Sequence, residues 1–234
     1  RHVIEEIPLQ PSMPVVDGAI ASDPRLTVSV NVNSGIDAQL GATFVADTNA
    51  WWAKAQTTRK RVGVTSRTTS AEVMRALADE ATDDQILYFY CHAESAALGD
   101  PGGPDASALV LSDARITLAD LNLDAPTSTL LRGQPLVFIN ACESAEMSPA
   151  FYDGFVPYFM AKGARGVIGT QCKTPALFAA EWAQRFFERF LDGADLGETV
   201  LALRREFLEQ HGNPLGLLYA VHCDGDTRIE PALV

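Results

Sequence analysis

With 18 Lys and Arg against 30 Asp and Glu, the 234-residue chain carries a formal net charge of −12, which repels a phosphate backbone and excludes nucleic acid as an expected partner. Hydrophobic residues make up 47% and charged residues 21%, ordinary globular usage, so neither disorder nor a fibrous repeat accounts for the sequence. No apolar run approaches the ~18 to 20 residues of a membrane helix and no basic start leads into a signal core, so no membrane association and a cytoplasmic setting are expected.

Residues 1–24 hold Pro8, Pro11, Pro14 and Pro24 without a sustained period and read as an extended N-terminal arm; residues 25–234 read as one domain. Leu26, Val28, Val30 and Val32 alternate with polar residues, the pattern of a half-buried strand ended by Asn33-Ser34-Gly35. Gln39 to Ala55 is expected to be one helix with Trp51 and Trp52 near its end, either in the core or docking the arm or a partner domain. A short strand follows at Val62 to Thr65. Thr69 or Ser70 then caps a helix with Val73, Met74 and Leu77 on one face.

Ile86 to Tyr90 is a continuous apolar run short enough to be a strand buried on both faces. After the turn chemistry of Asp100-Pro-Gly-Gly-Pro104, Ala108–Leu111 and Arg115–Thr117 flank Ser112-Asp113 as a small hairpin. Pro135 to Ile139 repeats the buried-strand pattern, Phe151 to Ala161 is expected to be helical, and Gly166 to Gly169 is the next strand. Phe178, Trp182, Phe186 and Phe190, then Leu196, Val200, Leu203 and Phe207, recur at helical spacing and give two amphipathic helices. Leu217 to Val221 supplies a last strand. Strands alternating with helices predict an α/β three-layer sandwich with a mostly parallel sheet of about six strands.

Two buried strands end in reactive residue types: His92 follows Tyr88-Phe-Tyr-Cys, and Cys142 follows Val137-Phe-Ile-Asn-Ala. In open α/β sheets the carboxyl ends of the strands line the ligand crevice, so the two can face each other. A thiol with a pKa near 8.5 is only a few per cent thiolate at neutral pH, and an adjacent imidazole that takes its proton makes it a nucleophile. Backbone N–H groups of Cys142 and Ala93 would stabilise the oxyanion. Taken singly, a cysteine after a buried strand is a small hydrophobe and a lone histidine is hydrogen-bonded structure. Their joint position beside Asn140, Glu143 and Ser144 favours catalysis.

The other cysteines, Cys91, Cys172 and Cys223, form no C-x-x-C pair and read as free thiols. Strand alternation turns Cys91 away from His92, so no metal site is expected. No Gly-rich phosphate loop is present, so no nucleotide cofactor is expected either.

At Leu87-Tyr-Phe-Tyr-Cys-His92, Ser107–Leu111 with Ile116–Asp120, and Val137-Phe-Ile-Asn-Ala-Cys-Glu-Ser144, the chain resembles the CHAT domain family, caspase-like cysteine peptidases related to separase and paracaspases. The resemblance continues through Ala161–Thr170 and Asn213–Tyr219. It implies a caspase-hemoglobinase fold with a small hairpin embellishment, a Cys-His dyad at Cys142 and His92, no cofactor, and limited proteolysis of a protein or peptide substrate in bacterial regulation or defence. An upstream sensor or regulatory domain would be a partner. The family has Gly after the histidine where this chain has Ala93; the N–H survives, but the added methyl is expected to narrow the site, and a catalytically inactive module that binds a protein partner is the alternative. A buried carboxylate serves relatives that cut after Arg or Lys, and the candidates here are Asp153, Glu94, Glu143 and Asp100. Gln171, Cys172 and Lys173 are placed to line the substrate groove, where an extended peptide would add to the sheet edge.

Overall fold

The computed structural model of the chain describes residues 16–96, 99–141, 149–171 and 174–230. Strand β1 (Ala19–Ile20) is followed by β2 (Leu26–Val32), α1 (Gly35–Leu40), α2 (Phe44–Thr58), β3 (Val62–Arg67), α3 (Ser70–Ala78) and β4 (Ile86–Glu94). A hairpin of β5 (Ala108–Val110) and β6 (Arg115–Thr117) leads into α4 (Leu118–Asp124). The remainder is β7 (Leu136–Ala141), α5 (Pro149–Ala161), β8 (Gly166–Thr170), α6 (Ala176–Phe190), α7 (Leu196–His211), β9 (Tyr219–Cys223) and β10 (Arg228–Ile229).

The central sheet has the order β3-β2-β4-β7-β8-β9, parallel throughout except for β9, with β5 and β6 attached at the tip of β4. This is the expected six-stranded sheet with its hairpin. Separately, β1 and β10 pair in parallel, so residues 19 and 20 of the expected arm lie against the end of the chain. Residues 1–15 of that arm are outside the described residues.

Two cores clothe the sheet because Ile86 to Cys91 of β4 and Leu136 to Ile139 of β7 are apolar at consecutive positions. On one face Tyr88, Tyr90, Phe138, Ile168 and Tyr219 pack under α2, α6 and α7. On the other, Leu87, Phe89, Cys91, Val137, Ile139 and Val167 pack under α3, α4 and α5. The first face is aromatic: Phe138 makes edge contacts with Tyr88, Trp182, Phe186 and Tyr219, and Tyr219 stacks on Trp182 at 3.8 Å. Each large side chain buried this way stabilises by roughly 2–3 kcal/mol relative to exposure. Trp52 is part of this core, edge-on to Phe187 at 4.8 Å, whereas Trp51 is half-buried with its Nε1 donating to Glu188 at 3.4 Å.

The sequence reading needs four corrections at element boundaries. The helix expected over Gln39–Ala55 is two helices, because Gly41 adopts φ +62° at the end of α1, a left-handed turn that glycine adopts without strain. The Asp37 carboxylate then accepts from the N–H groups of Val45 (2.8 Å) and Ala46 (3.0 Å), which opens α2 as a separate helix. The strand expected at Ile86–Tyr90 runs on to Glu94, because β5 supplies a partner for His92, Ala93 and Glu94. The strand expected from Val62 to Thr65 likewise extends to Arg67, paired with Asn31. The last strand begins at Tyr219 rather than Leu217: Pro214–Leu218 forms a 3-10 turn whose start is capped by the Asn213 side chain accepting from the Leu215 N–H at 3.0 Å. At α3, Thr69 is the cap, with Glu72 returning the bond in a full capping box.

Candidate active site

The carboxyl ends of β2, β4 and β7 converge on one edge of the sheet. In the parallel registers Val32 is level with Tyr90, and Tyr90 with Asn140; Cys91 is level with Ala141, the last described residue of β7. Cys142 and Glu143 lie outside the described residues, as do Cys172 and Lys173.

His92 follows the strand alternation. Tyr88 and Tyr90 face the aromatic core, Phe89 and Cys91 the opposite one, so His92 emerges on the aromatic side just beyond Tyr90, half-buried. Its Nε2 lies 2.9 Å from Oε1 of Gln39 in α1. On the other face Cys91 is fully buried, and burial pushes its thiol up to about 12. Cys223, at the end of edge strand β9, is also buried, with its thiol pushed up to about 11 by the same cause. Both are protonated structural thiols at neutral pH.

Ala93 is fully buried in the core beneath α3, α4 and α5, level with Leu109 of β5. Its methyl therefore fills core space on the face away from His92, and the expectation that it narrows the site is corrected.

The polar groups around the strand tips are held by reciprocal bonds. Asn33, just after β2, accepts through its backbone carbonyl from Ile36 at 3.3 Å, donates its N–H to the Tyr90 carbonyl at 3.0 Å, and bonds Val110 through Nδ2 at 3.0 Å. That ties β2, β4 and the hairpin together. Asn140 sits fully buried among the aromatic residues: its Nδ2 donates to the Tyr88 hydroxyl (3.0 Å) and to the Ala179 carbonyl (2.9 Å), and its Oδ1 accepts from the Tyr219 hydroxyl at 2.7 Å. A buried amide needs such partners, and here they clamp the end of β7 against α6 and β9 two residues before Cys142. The Tyr90 hydroxyl completes the lattice by donating to the Ala176 carbonyl at 3.1 Å.

The candidate pocket residues lie on different elements. Glu94, at the end of β4, is half-exposed and ion-paired with Arg115 of β6 at 2.9 Å. Gln171 is exposed just after β8, where its N–H donates to the Leu218 carbonyl at 2.8 Å. Asp100 is exposed in the loop before the hairpin. Asp153 lies on α5, its side chain outside what the structure describes. Among the described residues no three His, Cys, Asp or Glu side chains gather as a metal site, and no helix is long and apolar enough to cross a membrane.

Sequence reasoning missed Gln39 and the role of Asn140. A glutamine on a short helix has no motif, and nothing in the sequence joins positions 39 and 92. Asn140 carried a signal: an amide inside a buried apolar strand must find partners, and the Tyr88 and Tyr219 hydroxyls and the Ala179 carbonyl supply them.

Comparison with known proteins agrees with this architecture. The sequence matches the CHAT domain over residues 35–215. It is 34% identical over 140 residues to a probable protease of Vitiosangium sp. (strain GDMCC 1.1324), an alignment covering 57% of this chain and 17% of that protein. In three dimensions the chain is similar to a chain of the Saccharomyces cerevisiae separase–securin complex, with a TM-score of 0.52 at 10% identity, over 94% of this chain and 13% of the other. That likeness shows the fold, the caspase-like α/β architecture of separase. The chain spans about one sixth or less of the length of these two relatives.

Proposed function

The chain belongs to the CHAT domain family, and from that premise we propose that it is a cysteine endopeptidase that cuts a protein or peptide substrate through a dyad of Cys142 and His92. The register of β4 and β7 supports the proposal: Cys91 stands level with Ala141, and in the sequence His92 follows the one and Cys142 the other. The relative named a probable protease supports the same class of activity.

In this reading His92 accepts the Cys142 proton, and the thiolate attacks the scissile carbonyl carbon. The carbonyl oxygen becomes an oxyanion that accepts from the Cys142 and Ala93 N–H groups. The intermediate collapses to a thioester as the amine leaves with the proton from the imidazolium. Water, deprotonated by His92, then attacks the thioester, releases the carboxylic acid product and returns the thiol. Glu143, Asp153, Gln171 and Glu94 are assigned to the substrate side, with Glu94 already held by Arg115. Regulation or defence in a bacterial cytoplasm is the setting that the family resemblance favours, with an upstream domain as regulator.

Alkylation by iodoacetamide tests the dyad. Cys142 is expected to react at least tenfold faster than Cys91 and Cys223, whose thiols burial holds protonated, and to lose that advantage in His92→Ala. Peptide-library cleavage by the wild type, absent in Cys142→Ala, completes the expectation. Equal reactivity of all four cysteines with no cleavage would replace the enzyme with a partner-binding module.

A further inference from the structure

We propose that Gln39 is a positioning residue that fixes the tautomer and ring orientation of His92; the inference rests on the dyad reading above. Oε1 of Gln39 lies 2.9 Å from Nε2 of His92. A carboxamide oxygen only accepts, so Nε2 must carry the hydrogen. A neutral imidazole has one N–H, and its lone pair then sits on Nδ1. Nδ1 is therefore the atom that takes the Cys142 proton. When the ring becomes imidazolium, the amide dipole of Gln39 is already aligned to favour the positive charge without adding a negative one to the site.

The helix that presents Gln39 is too short to be stable alone, yet it is pinned along its length. Ile36 is fully buried in the aromatic core. The Gly35 N–H donates to Asn33 Oδ1 at 2.8 Å, and the Ser34 N–H donates to Ser112 Oγ at 2.9 Å. Asp37 bonds the first turn of α2, and Gly41 stops α1 two residues after Gln39. The amide itself folds back along the helix: a Cβ placed on Gly35 would stand 4.0 Å from the Gln39 Nε2, which leaves the oxygen for the imidazole. Asn33 reaches both partners, because it holds the start of α1 and donates its N–H to Tyr90, two residues before His92. A group held on an anchored element in this way can set a geometry that a loop could not.

Two measurements decide the proposal. In the wild-type protein, nitrogen-15 NMR of the neutral His92 ring is expected to show the Nε2-protonated tautomer, shifting to a mixture in Gln39→Ala. The iodoacetamide rate at Cys142 is expected to fall about tenfold in Gln39→Ala and to stay within about threefold of wild type in Gln39→Glu, whose carboxylate also accepts from Nε2. Gln39 is exposed, and both variants are expected to keep the wild-type unfolding midpoint. An Nδ1-protonated ring in the wild type would overturn the proposal, as would an unchanged tautomer and rate in Gln39→Ala, or equal losses in both variants. Failure of the dyad reads differently: Cys142 would be no faster than the other cysteines in the wild type, whatever the His92 tautomer.

Discussion

The charged pair and the ammonium near the amino ends of the parallel sheet and the ion pair at its carboxyl ends are exposed to very different degrees. Near the amino ends of the strands, charges are sealed in. The Lys162 ammonium is buried and donates to three carbonyls, those of Ala125 (3.1 Å), Pro126 (3.0 Å) and Thr129 (2.7 Å). Asp84, just before β4, is buried against Arg67 at 2.8 Å, and desolvation raises its pKa despite that partner. Gly133 passes so close to the Asp84 carbonyl that an added Cβ would lie 2.1 Å from it. At the carboxyl ends His92 is half-buried, its amide neighbour Gln39 is exposed, and the ion pair of Glu94 with Arg115 is half in solvent. Lys162 and the Asp84–Arg67 pair are thus shielded and partnered near the amino ends, whereas His92, Gln39 and the Glu94–Arg115 pair stay accessible at the carboxyl ends, where strand tips meet loops.

Breaking the closed end should cost stability and leave thiol chemistry at the open end intact. Lys162→Met strips three carbonyls of their donor, and urea unfolding is expected to show a loss of about 3 kcal/mol. An unchanged stability would mean that water replaces the ammonium and that this end is not sealed. Gly133→Ala forces the backbone away from Asp84, with an expected loss of about 2 kcal/mol and no change in the iodoacetamide rate at Cys142 in folded protein.

A change nearer the open end should blur the contrast. Tyr219→Phe leaves the buried Asn140 Oδ1 without the hydroxyl at 2.7 Å, and a loss of about 1.5 kcal/mol is expected. Because Asn140 stands two residues before Cys142, the same variant is expected to slow alkylation there, and a normal rate would separate this network from the site.

The last effect is confined to alkaline pH and concerns Cys91 on β4. Burial raises the Cys91 thiol from about 9 to about 12, so the folded state keeps a proton that the unfolded chain releases. This contribution to stability is complete below about pH 9 and declines as the pH climbs towards 12. Cys91→Ala should therefore flatten the alkaline loss of stability by about 1 kcal/mol per pH unit in that window. Identical slopes in the two proteins would show that the Cys91 thiol is not desolvated as the structure has it.

Much of the sheet was legible before any coordinates. Tyr88-Phe-Tyr90 and Val137-Phe-Ile139 are apolar at consecutive positions, and only a strand covered on both faces buries every side chain of such a run. The spacing of Phe178, Trp182, Phe186 and Phe190 pointed to the helix over the aromatic face for the same reason. Boundaries were less legible where a partner distant in sequence decided them. Glu94 ends β4 because β5 pairs there, and α1 parts from α2 because Gly41 turns left-handed while Asp37 caps the next helix.

The sequence by itself determined the apolar periodicities, the placing of His92 and Cys142 after two buried strands, and the pattern that marks the family, because these depend on residue type and local spacing. Only the tertiary structure decided that Gln39 meets His92, that Asn140 is clamped by Tyr88 and Tyr219, and that Lys162 is sealed under three carbonyls. Those bonds join residues 33 to 79 positions apart. A directional contact over such a separation depends on where the packed elements bring two side chains, and no local pattern of residue types encodes it.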